Sequence, residues 1–146
     1  MIPLMKFFSL RGLSVAVWIV FGLVLLAVEN NKKIVILHTV LAAGITGLLT
    51  HAIKVLTEIP RPYDGYLCPA DFTFPSMHAS LAFSIAVIYA HHHPRLAWLA
   101  YAMALLISYS RIFLRCHYGI DVVIGGLLGF IVASLIVKIY RPDRLV

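Results

Sequence analysis

The chain has 146 residues, of which 62% are hydrophobic and 12% charged, and its mean hydropathy is +0.95. A soluble domain carries roughly 25% charged residues, so this composition excludes a soluble globule and indicates a membrane protein with a single domain, residues 1–146. The formal charge of +6 arises from 12 Lys+Arg against 6 Asp+Glu; these cations form no basic run but flank apolar segments, which argues for membrane-helix flanks and against nucleic acid as a partner.

Residues 1–11 (MIPLMKFFSLR) fit either a short interfacial helix on the bilayer or a disordered tail. Gly12 to Val28 is uncharged and reads as a first span. It lacks a small-residue cleavage site, so it is expected to be retained rather than removed as a signal peptide. After the polar turn ENNKK comes a second uncharged run, Ile34 to Ile53, continued by Lys54. Gly44 and Gly47 in that run are expected to allow close helix packing.

Residues 57–75 hold Pro60, Pro62, Pro69, Pro75 and Gly65, and therefore form a loop. Its aromatic residues, Tyr63, Tyr66, Phe72 and Phe74, suit the membrane–water boundary. Ser76 follows Pro75 as a candidate N-cap for a third helix that ends at His91, His92, His93 and Pro94. A fourth run, Leu96 to Ser110, extends to about Phe113 and buries Arg111 near its end. A fifth spans Tyr118 to Tyr140, where the four-residue spacing of Gly125 and Gly129 favours close helix approach. The fold expected is an all-α, polytopic transmembrane bundle of about five spans (12–28, 34–55, 76–90, 95–114 and 118–140) with a four-helix catalytic core.

Five spans place the loop after the second span and the junction after the fourth on one side of the membrane. The turns ENNKK and HHHPR and the C-terminus lie on the other. Lys and Arg are equally numerous on the two sides. Once the cations with functional character are discounted, the positive-inside rule places HHHPR and the C-terminus in the cytoplasm and the polar clusters outside.

Three clusters carry the chemistry. Lys54, Arg61 and Arg111 are ionised groups at the ends of apolar runs, where an unpaired charge is costly. Taken singly, each fits a side chain snorkelling to the interface. Taken together they would repel one another unless an anion joined them, and guanidinium forks match phosphate oxygens. Ser76 and His78 sit at a helix start, where backbone N–H groups and the positive dipole end favour an anion; the plain alternative is a cap with an incidental histidine. His117 and Asp121 are four apart and share a face if a helix begins at or just before His117. A carboxylate on one imidazole nitrogen would leave the other free to attack, while the simpler reading is a helix-capping ion pair. His38 reads as a satisfied helix histidine, His51 as a structural neighbour of Lys54, and His91–His93 as a polar turn rather than a metal site. Arg115 has Asp64, Asp71 or a lipid headgroup as candidate partners. Cys68 and Cys116 form no metal motif. They are either two unrelated small residues or a disulfide pinning the central loop, which would require an oxidising compartment.

These clusters resemble the type 2 phosphatidic acid phosphatase superfamily, membrane lipid phosphatases related to vanadium haloperoxidases. The first motif of that family is Lys, six residues, then Arg-Pro, matched by Lys54 and Arg61-Pro62. The second is Pro-Ser-Gly-His, matched by Pro75-Ser76-Met77-His78. The third is Ser-Arg, five residues, His, three residues, Asp, matched by Ser110-Arg111, His117 and Asp121. There are two departures. Met77 stands in place of the family glycine, which would cost strain if that position needs a positive φ. Five spans are counted where many members have six.

The resemblance implies a lipid phosphate substrate in the bilayer, no cofactor and no metal. Lys54, Arg61, Arg111, Ser76 and the backbone of Met77 and His78 would hold the phosphate. His117, oriented by Asp121, would attack phosphorus, and His78 would protonate the leaving oxygen. The family analogy favours undecaprenyl or another polyprenyl diphosphate over phosphatidylglycerophosphate or phosphatidate. A lipid-phosphate binding or transport protein would share the cations without needing the His117–Asp121 pair.

Overall fold

In the computed structural model the described residues are 11–29, 31–62 and 68–140. They form five α-helices: α1 (Arg11–Val28), α2 (Lys32–Thr57), α3 (Met77–His92), α4 (Ala97–Phe113) and α5 (Gly119–Ile139), with a 3-10 turn, Pro94–Leu96, leading into α4. The helices occupy the apolar runs of the sequence. Three stretches are long and apolar enough to cross a membrane: Lys32–Thr57, Pro94–Phe113 and Gly119–Ile139. Helix α3 has 16 residues, short of the usual spanning length of about 20. Residues 1–10, Tyr63, Asp64 and Tyr66 of the loop, and the basic tail 141–146 lie outside the described residues.

Helix α3 is central, packing on α2, α4 and α5 and lightly on α1. The bundle turns polar side chains inward alongside an apolar core. On α2 the buried residues are Val35, His38, Ala42, Thr46, Thr50 and Lys54, a stripe at helical spacing, while Leu48 and Leu56 point outward. The stripe faces α3, where Thr46 Oγ1 donates to Ser84 Oγ at 3.2 Å. An apolar exterior suits lipid, and small or hydroxyl side chains inside let the helices approach.

The closest approach is between α3 and α5. A Cβ built on Gly129 would lie 2.0 Å from the Ser80 carbonyl oxygen, and one on Gly125 would lie 2.7 Å from that of Ser76. The expectation for this pair therefore holds. It does not hold for Gly44 and Gly47, where nothing comes within 4 Å of an added Cβ. Those two glycines are not on the packed stripe of α2, so their missing side chains bring no backbone closer.

Opposite the polar loop, the helix ends are tied by histidines. His38 is buried, its Nδ1 lying 3.0 Å from His92 Nε2 and its Nε2 donating to the Tyr140 carbonyl at 2.8 Å. It is a satisfied helix histidine, as expected. His93 pairs with Glu29 at 3.3 Å. At the other end α2 stops where Glu58 adopts φ 47° and returns its N–H to the Lys54 carbonyl, two residues before Pro60.

Overpacking a tight contact costs about 1–3 kcal/mol, so Gly129→Ala is expected to lower the thermal unfolding midpoint in detergent. Gly44→Ala, in open space and mid-helix, should leave it unchanged or raise it. Equal effects of the two variants would contradict this packing.

Candidate active site

The αL cap that ends α2 turns the chain back over its own last turn, so Lys54 and the loop beyond it meet. Thr73 N–H donates to the Ile59 carbonyl at 2.8 Å. Lys54 Nζ bonds the Phe72 carbonyl, lies 3.5 Å from that of Thr73, and pairs with Asp71 at 3.6 Å. Arg61 uses its whole fork on this loop and the α4–α5 junction. Its Nε donates to the Asp71 carbonyl at 2.8 Å, Nη2 to the Asp71 carboxylate, and Nη1 to the Cys116 carbonyl at 2.7 Å. Burial alone would raise the Asp71 pKa. The hydrogen bond from Arg61 and the charges of Lys54 and Arg61 outweigh that and hold the carboxyl below its ordinary range. Arg115 is exposed at φ 55°, and among the described residues the ion pairs of Asp71 are with Lys54 and Arg61.

Ser76 is the N-cap of α3 by position, with φ −74° and ψ 111°, but its hydroxyl makes no cap bond and is buried without a hydrogen-bond partner among the described residues. Its backbone N–H donates to the Asp121 carbonyl at 3.0 Å, locking the start of α3 to the start of α5. Met77 begins the helix. The positive-φ non-glycine residues among those described are Glu58 and Arg115, so Met77 carries no backbone strain in place of the family glycine.

His117 and Asp121 do not share a helix face as expected. Helix α5 starts at Gly119, and Asp121 reaches back to accept the Tyr118 N–H at 2.8 Å. That cap turns the carboxylate toward His117, which stands just outside the helix with Nδ1 3.5 Å from Asp121 Oδ2. Between them sits Thr73, fully buried, whose Oγ1 lies 3.1 Å from His117 Nδ1 and donates to Asp121 Oδ2. Arg61 Nη1 lies 3.0 Å from His117 Nε2. Burial, then the charges of Arg61, Arg111 and Lys54, pushes the imidazole pKa well below its ordinary value.

Arg111 is fully buried in the last turn of α4. A cavity of about 480 Å³ is lined at its polar end by Lys54, Arg61, Asp71, Met77, His78 and His117. Trp18, Ile19, Ile85, Tyr89 and Ile107 line its apolar remainder. Ser76 and Arg111 are fully buried and are not among the lining residues, and His51 lines an adjoining cavity beside Lys54 and Asp71. Cys68 and Cys116 form a disulfide with Cα atoms 5.3 Å apart, fastening the loop next to His117. Closing 48 residues of chain is worth about 4 kcal/mol on the chain-entropy account. Among the described residues no three His, Cys, Asp or Glu side chains gather as metal ligands.

Sequence reasoning missed Thr73 and the role of Asp71. Neither belongs to a recognisable motif. Thr73 meets its partners across 44 and 48 residues, so only the folded loop reveals it.

A polytopic helix bundle that gathers cations, imidazoles and a buried carboxylate at the mouth of an apolar cavity has the make-up of a membrane phosphatase. The PAP2 superfamily model matches residues 34–144, and the chain belongs to that superfamily. It is 33% identical over 144 residues to an undecaprenyl-diphosphatase of Sulfolobus acidocaldarius, covering 93% of this chain and 69% of the relative. It is 31% identical over 129 residues to the undecaprenyl-diphosphatase BcrC of Bacillus subtilis, covering 82% of this chain and 64% of that protein. Its fold matches the crystal structure of a transmembrane PAP2-type phosphatidylglycerolphosphate phosphatase from Bacillus subtilis, with TM-score 0.70 and 22% identity over 97% of this chain and 74% of that one.

Asp71 holds two of the cavity cations with a carboxylate, the nearest side-chain analogue of a phosphate oxyanion, and its side chain is 48% exposed. An incoming anion must compete with it. Asp71→Asn keeps the backbone carbonyl that anchors Arg61 and removes the charge. Inorganic phosphate should then bind about two- to fivefold more tightly, the worth of a partly exposed ion pair. Titration of phosphate against purified protein reads this; unchanged or weaker binding would argue against competition.

Proposed function

We propose that this chain hydrolyses the terminal phosphate of a membrane lipid diphosphate, with undecaprenyl or another polyprenyl diphosphate the favoured substrate, through a phosphohistidine on His117. The observation that carries this reading is the His117 ring. Arg61, a donor only, faces Nε2, so that nitrogen carries the ring's lone pair, which here accepts from Arg61 Nη1 at the edge of a cavity lined by Lys54, Arg61 and His78.

In the proposed reaction Lys54 leaves Asp71, and Arg61 leaves both Asp71 and His117 Nε2, for the phosphate oxygens, which frees the Nε2 lone pair; Arg111 adds positive charge, and the Ser76 hydroxyl and the N-terminus of α3 contribute donors. His117 Nε2 forms a bond to phosphorus as the bond to the leaving oxygen breaks. His78 gives that oxygen a proton. Water then attacks phosphorus, giving a proton back to His78, the N–P bond breaks with its electron pair returning to Nε2, and inorganic phosphate leaves. The cations stabilise the charge on the equatorial oxygens, the task that metal ions perform in other phosphoryl-transfer sites. The apolar arm of the cavity suits the first part of a lipid tail, and the names of the Sulfolobus acidocaldarius and Bacillus subtilis diphosphatases support a diphosphate head.

The test is phosphate release from purified protein in the presence of a metal chelator. Polyprenyl diphosphate should be hydrolysed, and His117→Ala and His78→Ala should each lose at least about 1,000-fold in kcat. Activity in both variants would overturn the assignment. The depressed His117 pKa means that the neutral, attacking form persists as pH falls through the ordinary imidazole value of about 6.5. The pH profile of kcat/KM should therefore show no loss from His117 at that point.

We read α1–α5 as five crossings with the site outside the plasma membrane and the C-terminus in the cytoplasm. The disulfide supports this, since such bonds persist in oxidising compartments. In intact cells an impermeant thiol reagent should label Glu58→Cys, at the exposed end of α2, and not Arg95→Cys in the opposite turn. The reverse pattern would invert the topology.

A further inference from the structure

We propose that Thr73 is a positioning residue, its hydroxyl being the bridge through which the Asp121 carboxylate fixes the His117 ring. This rests on the reading of His117 as the nucleophile.

The direction of every hydrogen follows from the partners. Arginine can only donate, so Arg61 Nη1, at 3.0 Å, makes His117 Nε2 an acceptor. A neutral imidazole then carries its hydrogen on Nδ1. The nearer acceptor for that hydrogen is Thr73 Oγ1 at 3.1 Å; Asp121 Oδ2 is at 3.5 Å, too long for a good direct bond. A hydroxyl has a single hydrogen, and Thr73 directs it to Asp121 Oδ2, leaving its lone pairs for His117. The chain runs one way, from Arg61 to His117 to Thr73 to Asp121, with each hydrogen used once. The carboxylate is itself held by the Tyr118 N–H, and Thr73 by its N–H bond to Ile59. Both ends of the bridge are thus fixed by backbone, in a place without exposure to solvent.

The bridge sets both tautomer and ring angle. The other tautomer, with hydrogen on Nε2, has no lone pair to offer phosphorus. As Nε2 forms its bond to phosphorus and the bond to the leaving oxygen breaks, positive charge spreads over the ring and Nδ1–H becomes a stronger donor. The Thr73 oxygen, polarised by its own bond to Asp121, accepts that hydrogen more strongly at the same moment. No proton has to leave the ring, and the group is in place before the reaction starts.

The test compares Thr73→Val, nearly the same shape without the hydroxyl, with Thr73→Ser, which keeps it. Both are made in the full chain, purified in detergent and assayed for phosphate release from polyprenyl diphosphate. Thr73→Val should lower kcat about 100-fold, the cost of a misplaced reacting group, with KM little changed, and Thr73→Ser should stay near the parent. Nitrogen-15 NMR of the His117 ring should show the Nδ1–H tautomer in the parent and in Thr73→Ser, and a mixture in Thr73→Val. Parent-like kcat in Thr73→Val, or equal impairment of both variants, would overturn the bridge. If Thr73→Val does not fold, the parent and Thr73→Ser spectra decide, and a dominant Nε2–H tautomer in either is sufficient to reject it. His117→Ala separates the two failures: activity there defeats the nucleophile, while the tautomer spectrum still judges the bridge.

Discussion

The contact between Gly125 and Gly129 of α5 and the backbone of Ser76 and Ser80 on α3 is the constraint on which the site depends. No side chain larger than hydrogen fits at that spacing. The two helices meet backbone to backbone, and the Ser76 N–H falls on the Asp121 carbonyl. Two helix starts are thereby held level at one end of the bundle. Everything polar is arranged around that level: the Ser76 hydroxyl, the Asp121 carboxylate, and the loop that descends between them to Thr73. In a membrane, where apolar burial between helices gains little over lipid, such close packing is the main force available to fix a geometry.

Charge is the second constraint. Lys54, Arg61 and Arg111 stand on the core side of the bundle, with Asp121 wholly buried and Asp71 half exposed. The two carboxylates do different work. Asp121 is committed to the Tyr118 N–H and the Thr73 hydroxyl. Among the described residues the Asp71 carboxylate is held through its ion pairs with Lys54 and Arg61 at the mouth, which an anion can replace. Burial, and then the cationic field, keep His117 unprotonated at the cost of basicity. In the proposed reaction a bound phosphate would offset that field as the ring attacks. A site that is electrostatically incomplete until its ligand arrives favours the ligand without a metal ion to hold it.

The sequence exposed as much of this as periodicity and spacing can carry. The helices follow uncharged runs closed by proline and polar turns, so their positions were legible to within two residues. The Gly125–Gly129 spacing signalled the close contact because α5 presents those residues on one face toward α3. Gly44 and Gly47 looked similar and are not in a contact, since pattern alone does not say which face of α2 turns inward. Asp121 and His117 were paired correctly by separation and wrongly by geometry: the helix starts after His117, and a backbone cap rather than a shared face brings them together. Thr73 escaped altogether, and Asp71 stood out only as a candidate partner of Arg115. A loop has no period, and its contacts are set by the αL turn at Glu58 and the Cys68–Cys116 bond.

The two ends of the main cavity are built to different stiffness. At the polar end, a disulfide, the Arg61 fork, the Thr73–Ile59 bond and the Ser76–Asp121 bond converge within a few residues. The apolar arm runs to Trp18, Ile19 and Tyr89, between α3 and α1, and α1 is only lightly packed on the rest. Local stability follows contact density, so the wall along the apolar arm yields more easily than the wall around His117. This division suits a reaction whose demands are unequal. Phosphorus must be placed to a fraction of an ångström for in-line attack, whereas a flexible hydrocarbon needs only an apolar surface and a way in from the bilayer. On the proposed reaction, rigidity would be concentrated where bonds are exchanged, and the lightly packed α1 would supply the give for a long tail to enter.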